Sequence, residues 1–147
     1  MTVPPLPALT PRPPWTAVHE PWGRARGVLR LSRPDGAHAE VRVERCAAGR
    51  LSAAYPISAL DVEISLLSTT PAATEALNAV VEAIWTAEPR CRRIVLAAPN
   101  TKTETTALRA GFRPTVEIDL PNGPVTLLVR EPPWATHVDM DLTRIPT

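Results

Sequence analysis

Asp61 and Glu63, two carboxylates two residues apart, are the groups in this sequence best placed for proton chemistry. Around them Ser58–Leu67 alternates: Leu60, Val62, Ile64 and Leu66 share one face of a strand, and Asp61, Glu63 and Ser65 the other. A carboxylate in a partly apolar cleft holds its proton longer than usual and can serve as a base toward an amine. On a wet sheet face the same pair is merely solvated, so both readings stand. Just downstream, Ser68-Thr69-Thr70-Pro71-Ala72-Ala73-Thr74 puts hydroxyls where a helix should begin. Ser68, Thr69, Thr70 and Thr74, with free helix-start N–H groups, either cradle a phosphate or cap the helix. Asn100 is either a hydrogen-bonding ligand or a helix cap. Lys102, the single lysine, either meets a phosphate or stays solvated.

Other chemistries find little support. His19, His38 and His137 are far apart and show no metal-type spacing, so no metal is expected. No Ser-His-Asp arrangement, Gly-x-Ser-x-Gly or Gly-Lys-Ser/Thr motif is present. Cys46 and Cys91 read as reduced packing residues. The formal net charge is +1 with no basic block, which argues against a dedicated nucleic-acid binder. No run approaches the length of a membrane span, and the start does not read as a secretory signal. A cytoplasmic protein is the expectation, and the Arg-, Ala- and Pro-rich composition reads as bacterial.

The elements that would position these groups follow from periodicity. A chain of 147 residues fits one domain. Residues 1–22 carry seven of the 18 prolines and read as a flexible arm, polyproline or disordered. Gly27–Ser32 and Ala37–Arg45 alternate around the turn Arg33-Pro34-Asp35-Gly36, which predicts a hairpin. Residues 47–56 read as a loop with room for a short helix or strand. After the 58–67 strand, Thr70 is the expected N-cap and Pro71 the first helical residue. Leu77, Val80, Val81, Ile84 and Trp85 form the buried stripe of that helix, and Pro89 ends it. Arg93–Ala98 reads as a strand buried on both faces. Thr101-x-x-Glu104 predicts a capping box for a helix over 102–110, closed by Gly111. A last hairpin sets Val116, Ile118 and Leu120 against Val125, Leu127 and Val129, turning at Asn122-Gly123. The domain is expected over 23–133, with a tail over 134–147. Its class is α+β, with order β-β-β-α-β-α-β-β and a central β-α-β crossover whose parallel strands part at a ligand crevice.

The unit over 92–130 resembles the second half of the GNAT acyltransferase fold. Asn100 stands eleven residues before Gly111-Phe112, as in that family's motif. Ala98-Pro99-Asn100, Ala107–Arg113, Glu117–Pro121 and Leu127–Glu131 look more narrowly like the branch that acylates hydroxylysine-type amines in siderophore biosynthesis. The resemblance implies a GNAT-like mixed sheet with a C-terminal hairpin. It implies acyl-CoA or acetyl-CoA as co-substrate, held by backbone amides and by Ser68, Thr69, Thr70, Thr74, Asn100 and Lys102. Glu63, Asp61 and Asn100 are the candidate catalytic groups for transfer to a small-molecule amine. A homodimer is expected to complete the acceptor wall. The sequence departs from the family at the phosphate loop, which lacks glycine and arginine, and at Ala107, where a Tyr acid often stands. Asn100 also replaces the carboxylate of that branch's Glu-Pro-Asp turn. The family's first strand and two N-terminal helices find no match in residues 1–22. A catalytically silent GNAT-like module that binds a partner protein is therefore the alternative.

Overall fold

The computed structural model describes residues 3–52, 58–68 and 70–133. Among them seven strands form one mixed sheet: β1 (Thr16–Trp22), β2 (Arg26–Ser32), β3 (His38–Arg45), β4 (Val62–Leu66), β5 (Ile94–Ala98), β6 (Arg113–Leu120) and β7 (Gly123–Arg130). Two helices, α1 (Ala73–Ala87) and α2 (Thr101–Arg109), complete the fold. The strand order is β1-β2-β3-β4-β5-β7-β6, and only the β4–β5 pair is parallel. The mixed α+β class with its central crossover is as expected. Among the described residues no helix is long and apolar enough to cross a membrane.

One face of the sheet carries the main core. Leu29, Leu31, Ala39, Val41, Val43, Val62, Ile64, Ile94 and Leu96 meet Leu77, Val80, Val81 and Ile84 of α1 there. A second apolar cluster, with Val95, Ala97, Leu127 and Val129, lies on the opposite face beneath Cys46 and Leu51 of the β3–β4 connection. That connection opens with a 3₁₀ turn at Cys46–Ala48; residues 53–57 lie outside the described residues, as do Thr69 and the 134–147 tail.

The expectation for residues 1–22 is corrected over the described part. Thr16–Trp22 is a strand, and no helix precedes it among the described residues. Leu6, Leu9 and Trp15 are buried in the main core, so the proline-rich belt covers sheet surface that α1 does not reach. Polyproline backbone has unpaired carbonyls that need donors. Arg45 supplies them: its guanidinium donates to Pro4 and Pro5 carbonyls, to the Leu60 carbonyl and to both oxygens of Glu88. The first strand thus exists, and a tight Gly23-Arg24-Ala25 turn leads from it to β2, where helices were the family expectation. Trp22 lies across Gly27, the one residue type whose missing side chain leaves it room.

Three end signals also shift. Thr70 does not cap α1: its hydroxyl donates to the His38 carbonyl, and the helix starts three residues later after an uncapped Ala72. The expected Thr101 capping box gives way to Asn100, whose Oδ1 accepts the Thr103 N–H at 2.9 Å. In the last hairpin Leu120 pairs with Gly123, so Pro121 and Asn122 are the turn, and Gly123 takes the positive φ of +124°. The proline stop of α1 holds where expected, with the helix ending before Glu88-Pro89.

Candidate active site

Pairing between β4 and β5 ends at Ile64 and Leu96, after which the chains part toward α1 and α2. A crevice at the carboxyl ends of parting parallel strands follows from this topology. Cavities lie on both sides of the notch. On the helical side is one of about 530 Å³ between the α1 start and α2, lined by Thr70, Thr74, Lys102, Thr105, Thr106 and Arg109. On the opposite face is a smaller cleft of about 150 Å³, where Ser65, Leu66, Ala97 and Pro99 meet Arg50 and Thr103.

The helical-side cavity is electrically suited to anions. Lys102 and Arg109 are seven residues apart, two helical turns, so both project from one side of α2. The α1 start has no side-chain cap, which leaves first-turn N–H groups with their partial positive charge. Of the expected phosphate ligands, Thr70, Thr74 and Lys102 line this cavity. Ser68 does not: its hydroxyl accepts the Glu40 N–H at 3.1 Å and prolongs the β3–β4 pairing. Thr69 lies outside the described residues. Arg109 was not singled out from the sequence, although its i+7 spacing from Lys102 carried the signal.

On the other side, alternation along β4 turns Glu63 and Ser65 away from α1. Glu63 is buried, and its Oε2 accepts a hydrogen bond from Arg50 Nη2 at 2.8 Å. Glu44, directly opposite Glu63 on β3, is bound instead by Arg26 and Arg42. Asp61 sits elsewhere. It precedes β4 at the far end of the strand, fully buried, where Oδ2 accepts from the Ser58 N–H and pairs with Arg93 at 3.1 Å. Burial pushes the Asp61 carboxyl above the usual range, against the pull of the Ser58 N–H and Arg93. Asp61 lines neither notch cavity. Asn100 is used as the α2 cap and faces a separate hollow beside Glu104 and Glu117. The structure therefore brings Thr70, Thr74 and Lys102 to the helical-side cavity, holds Glu63 buried beneath Arg50 of the opposite cleft without lining either cavity, and leaves Asp61, Ser68 and Asn100 in structural contacts. Arg50 had no sequence signal, because its segment has no periodicity.

Two further features bear on the chemistry. Trp85 does not fill the notch; it packs under Arg130, whose guanidinium lies 5.4 Å from its ring. Ala107 is fully buried, so no side-chain acid stands at that position. Cys46 and Cys91 are free and buried, and burial pushes both thiols up, Cys91 to about 12, as expected of packing residues.

Known structures share this fold. The chain superposes on an uncharacterised protein from Bacillus halodurans with a TM-score of 0.67 at 18% identity, over 84% of this chain and 68% of that one. It matches aminoglycoside acetyltransferase AAC(6′)-Ib, solved with coenzyme A, with a TM-score of 0.65 at 14% identity, over 79% of this chain and 71% of that one. The fold is the GNAT fold. A putative GNAT-family acetyltransferase from Bordetella pertussis also matches, with a TM-score of 0.51 at 21% identity, over 71% of this chain and 65% of that one. No protein-family model and no curated protein matches by sequence.

Proposed function

We propose that this chain is an acyl-CoA-dependent N-acyltransferase acting on a small-molecule amine. The observation that carries the reading is the open notch, with a cation- and hydroxyl-lined cavity on one side and, on the other, a cleft whose Arg50 is held by the buried Glu63 carboxylate. Lys102, Arg109, Thr70 and Thr74 would hold the phosphates of the acyl donor, with the α1 start contributing its dipole. The donor supplies an activated thioester. A backbone N–H of β4 beyond its last pair with β5 would polarise the thioester carbonyl; the Leu67 N–H is already given to the Glu40 carbonyl.

Glu63 is the base in this reading. It lies two residues, about 6.6 Å along the strand, from Ser65 at the cleft wall, so the amine proton reaches it through water. Arg50 holds the carboxylate oriented. The neutral amine then attacks the carbonyl carbon, the C–S bond breaks as the nitrogen releases its second proton to solvent, and the thiolate takes up a proton from solvent because Ala107 offers none. A hydroxylysine-type acceptor belongs among the amines to be assayed, given the resemblance of the 107–131 residues to that branch.

Calorimetric titration of CoA and acetyl-CoA tests the reading. Saturable binding is expected, weakened about tenfold or more by Lys102→Glu with Arg109→Glu, at an unchanged far-ultraviolet spectrum. Absence of binding at millimolar CoA sinks it. The glycine-free loop and Ala107 favour the second reading, a silent GNAT-fold module that binds a partner protein. Binding of CoA without transfer to any amine is the outcome that selects it.

A further inference from the structure

We propose that Arg50 is a specificity-determining residue that recognises a carboxylate on the acceptor, so that the acceptor is an amino-carboxylate rather than a polycationic amine. Among the described residues, Arg50 is the only charged one lining the cleft on the acceptor side of the notch. Its side chain is 45% exposed, while that of Glu63 beneath it is 4% exposed. Nη2 donates to Glu63, and no other hydrogen bond engages the guanidinium among the described residues. An arginine has five N–H donors in a planar fork, and two adjacent ones match the two oxygens of a carboxylate. The inner edge is thus held and the outer edge is open.

Glu63 fixes where that outer edge points. A lone surface arginine would lose rotamer freedom on binding an anion; an arginine already tied at one end loses less. The cleft, at about 150 Å³, has room for roughly five waters' worth of volume, enough for a carboxylate and a few carbons. Ser65 and Thr103 offer hydroxyls, and Leu66, Ala97 and Val125 offer an apolar wall. A polycation entering here would meet the exposed guanidinium with like charge, while the compensating carboxylate stays buried beneath it. That this anion site belongs to an acceptor rests on the acyltransferase reading; the anion site itself does not.

N-acetylglycine and N-acetylglycinamide test this. They share size and amide group and differ in the carboxylate. Each is titrated calorimetrically into the full chain and into Arg50→Gln and Arg50→Lys, with and without CoA, and spermidine serves as the cationic control. The intact chain should bind the carboxylate about tenfold tighter than the amide. Arg50→Gln should abolish that gap while leaving CoA affinity nearly unchanged and lowering the melting temperature by only about 3–5 °C, and Arg50→Lys should keep part of it. Equal affinity for the two probes, no carboxylate binding, a gap that survives Arg50→Gln, or a preference for spermidine overturns the proposal. An Arg50-dependent gap in a chain that never binds CoA keeps the anion site and removes the acyltransferase reading. Bound CoA without the gap does the reverse.

Discussion

Arg45 and Arg50 stand five residues apart, and each pairs with a glutamate, yet they do opposite work. Arg45 is fully buried and its five donated hydrogen bonds go to Glu88 and to the carbonyls of Pro4, Pro5 and Leu60. Arg50 is half exposed and makes one bond among the described residues. A guanidinium with every donor satisfied has nothing left for a ligand, whereas one with a free edge beside a cleft does. The difference follows from position in the chain. Arg45 ends β3 on the α1 face, where the belt and α1 enclose it. Arg50 lies past the turn that carries the chain to the other face of the sheet.

Removing each arginine should break the comparison open. Arg45→Ala strands Glu88 and three carbonyls in partly buried surroundings, so it should cost about 3–5 kcal/mol in denaturant unfolding. It should also make the 3–15 belt sensitive to protease. Arg50→Gln leaves an amide that still donates to Glu63, and should cost about 1 kcal/mol. Similar costs for the two would mean that Arg50 too is structural, and the anion site would go with it.

Glu63→Gln comes next in size. The amide cannot take a proton, so kcat for transfer should fall about a hundredfold with CoA affinity preserved. Glu88→Gln, the matching change at the other pair, should instead lower stability and leave kcat per folded molecule alone. A Glu63→Gln enzyme with full kcat would remove Glu63 from the mechanism.

How far the sequence carried this picture depends on which physics set each element. Periodicity resolves six of the seven strands and both helices, because strand alternation and the Leu77–Ile84 stripe are dictated by burial against one core. Proline content misleads at the belt because it describes what a backbone cannot do, not what a distant donor does for its carbonyls; Arg45 lies about forty residues from Pro4 and Pro5. Helix ends shift by a few residues because Thr70 and Asn100 each have more than one partner within reach. The site divides in the same way. Thr70, Thr74 and Lys102 follow from helix starts, and Glu63 from alternation. Arg50 depends on how an aperiodic connection folds across the sheet, which no local pattern encodes.

Asp61 offers the smallest and sharpest test, since it is a third acid–base pair lying between the two extremes. Like Glu88 it serves structure, with Arg93 and the Ser58 N–H as partners. Yet Oδ1 is buried without a hydrogen bond among the described residues, and desolvation outweighs the partners, so the folded carboxyl titrates above its ordinary 3.8. The folded state then keeps its proton where the unfolded chain has released it. By linkage this contribution to stability is present below the unfolded pKa and is lost as pH rises through the folded value. Asp61→Asn cannot titrate. The stability of the parent chain minus that of Asp61→Asn should therefore decline as pH rises from about 4 and level off once the folded carboxyl has ionised. Urea unfolding of both proteins across about pH 3.5–8 (a range set around the ordinary carboxylate and histidine values, roughly 4 and 6.5) reads that difference directly. A difference that instead rises with pH would mean that Arg93 overcomes desolvation, which would make Asp61 a stabilising pair of the Arg45 kind and leave Arg50–Glu63, of the three pairs, as the one with a free edge among the described residues.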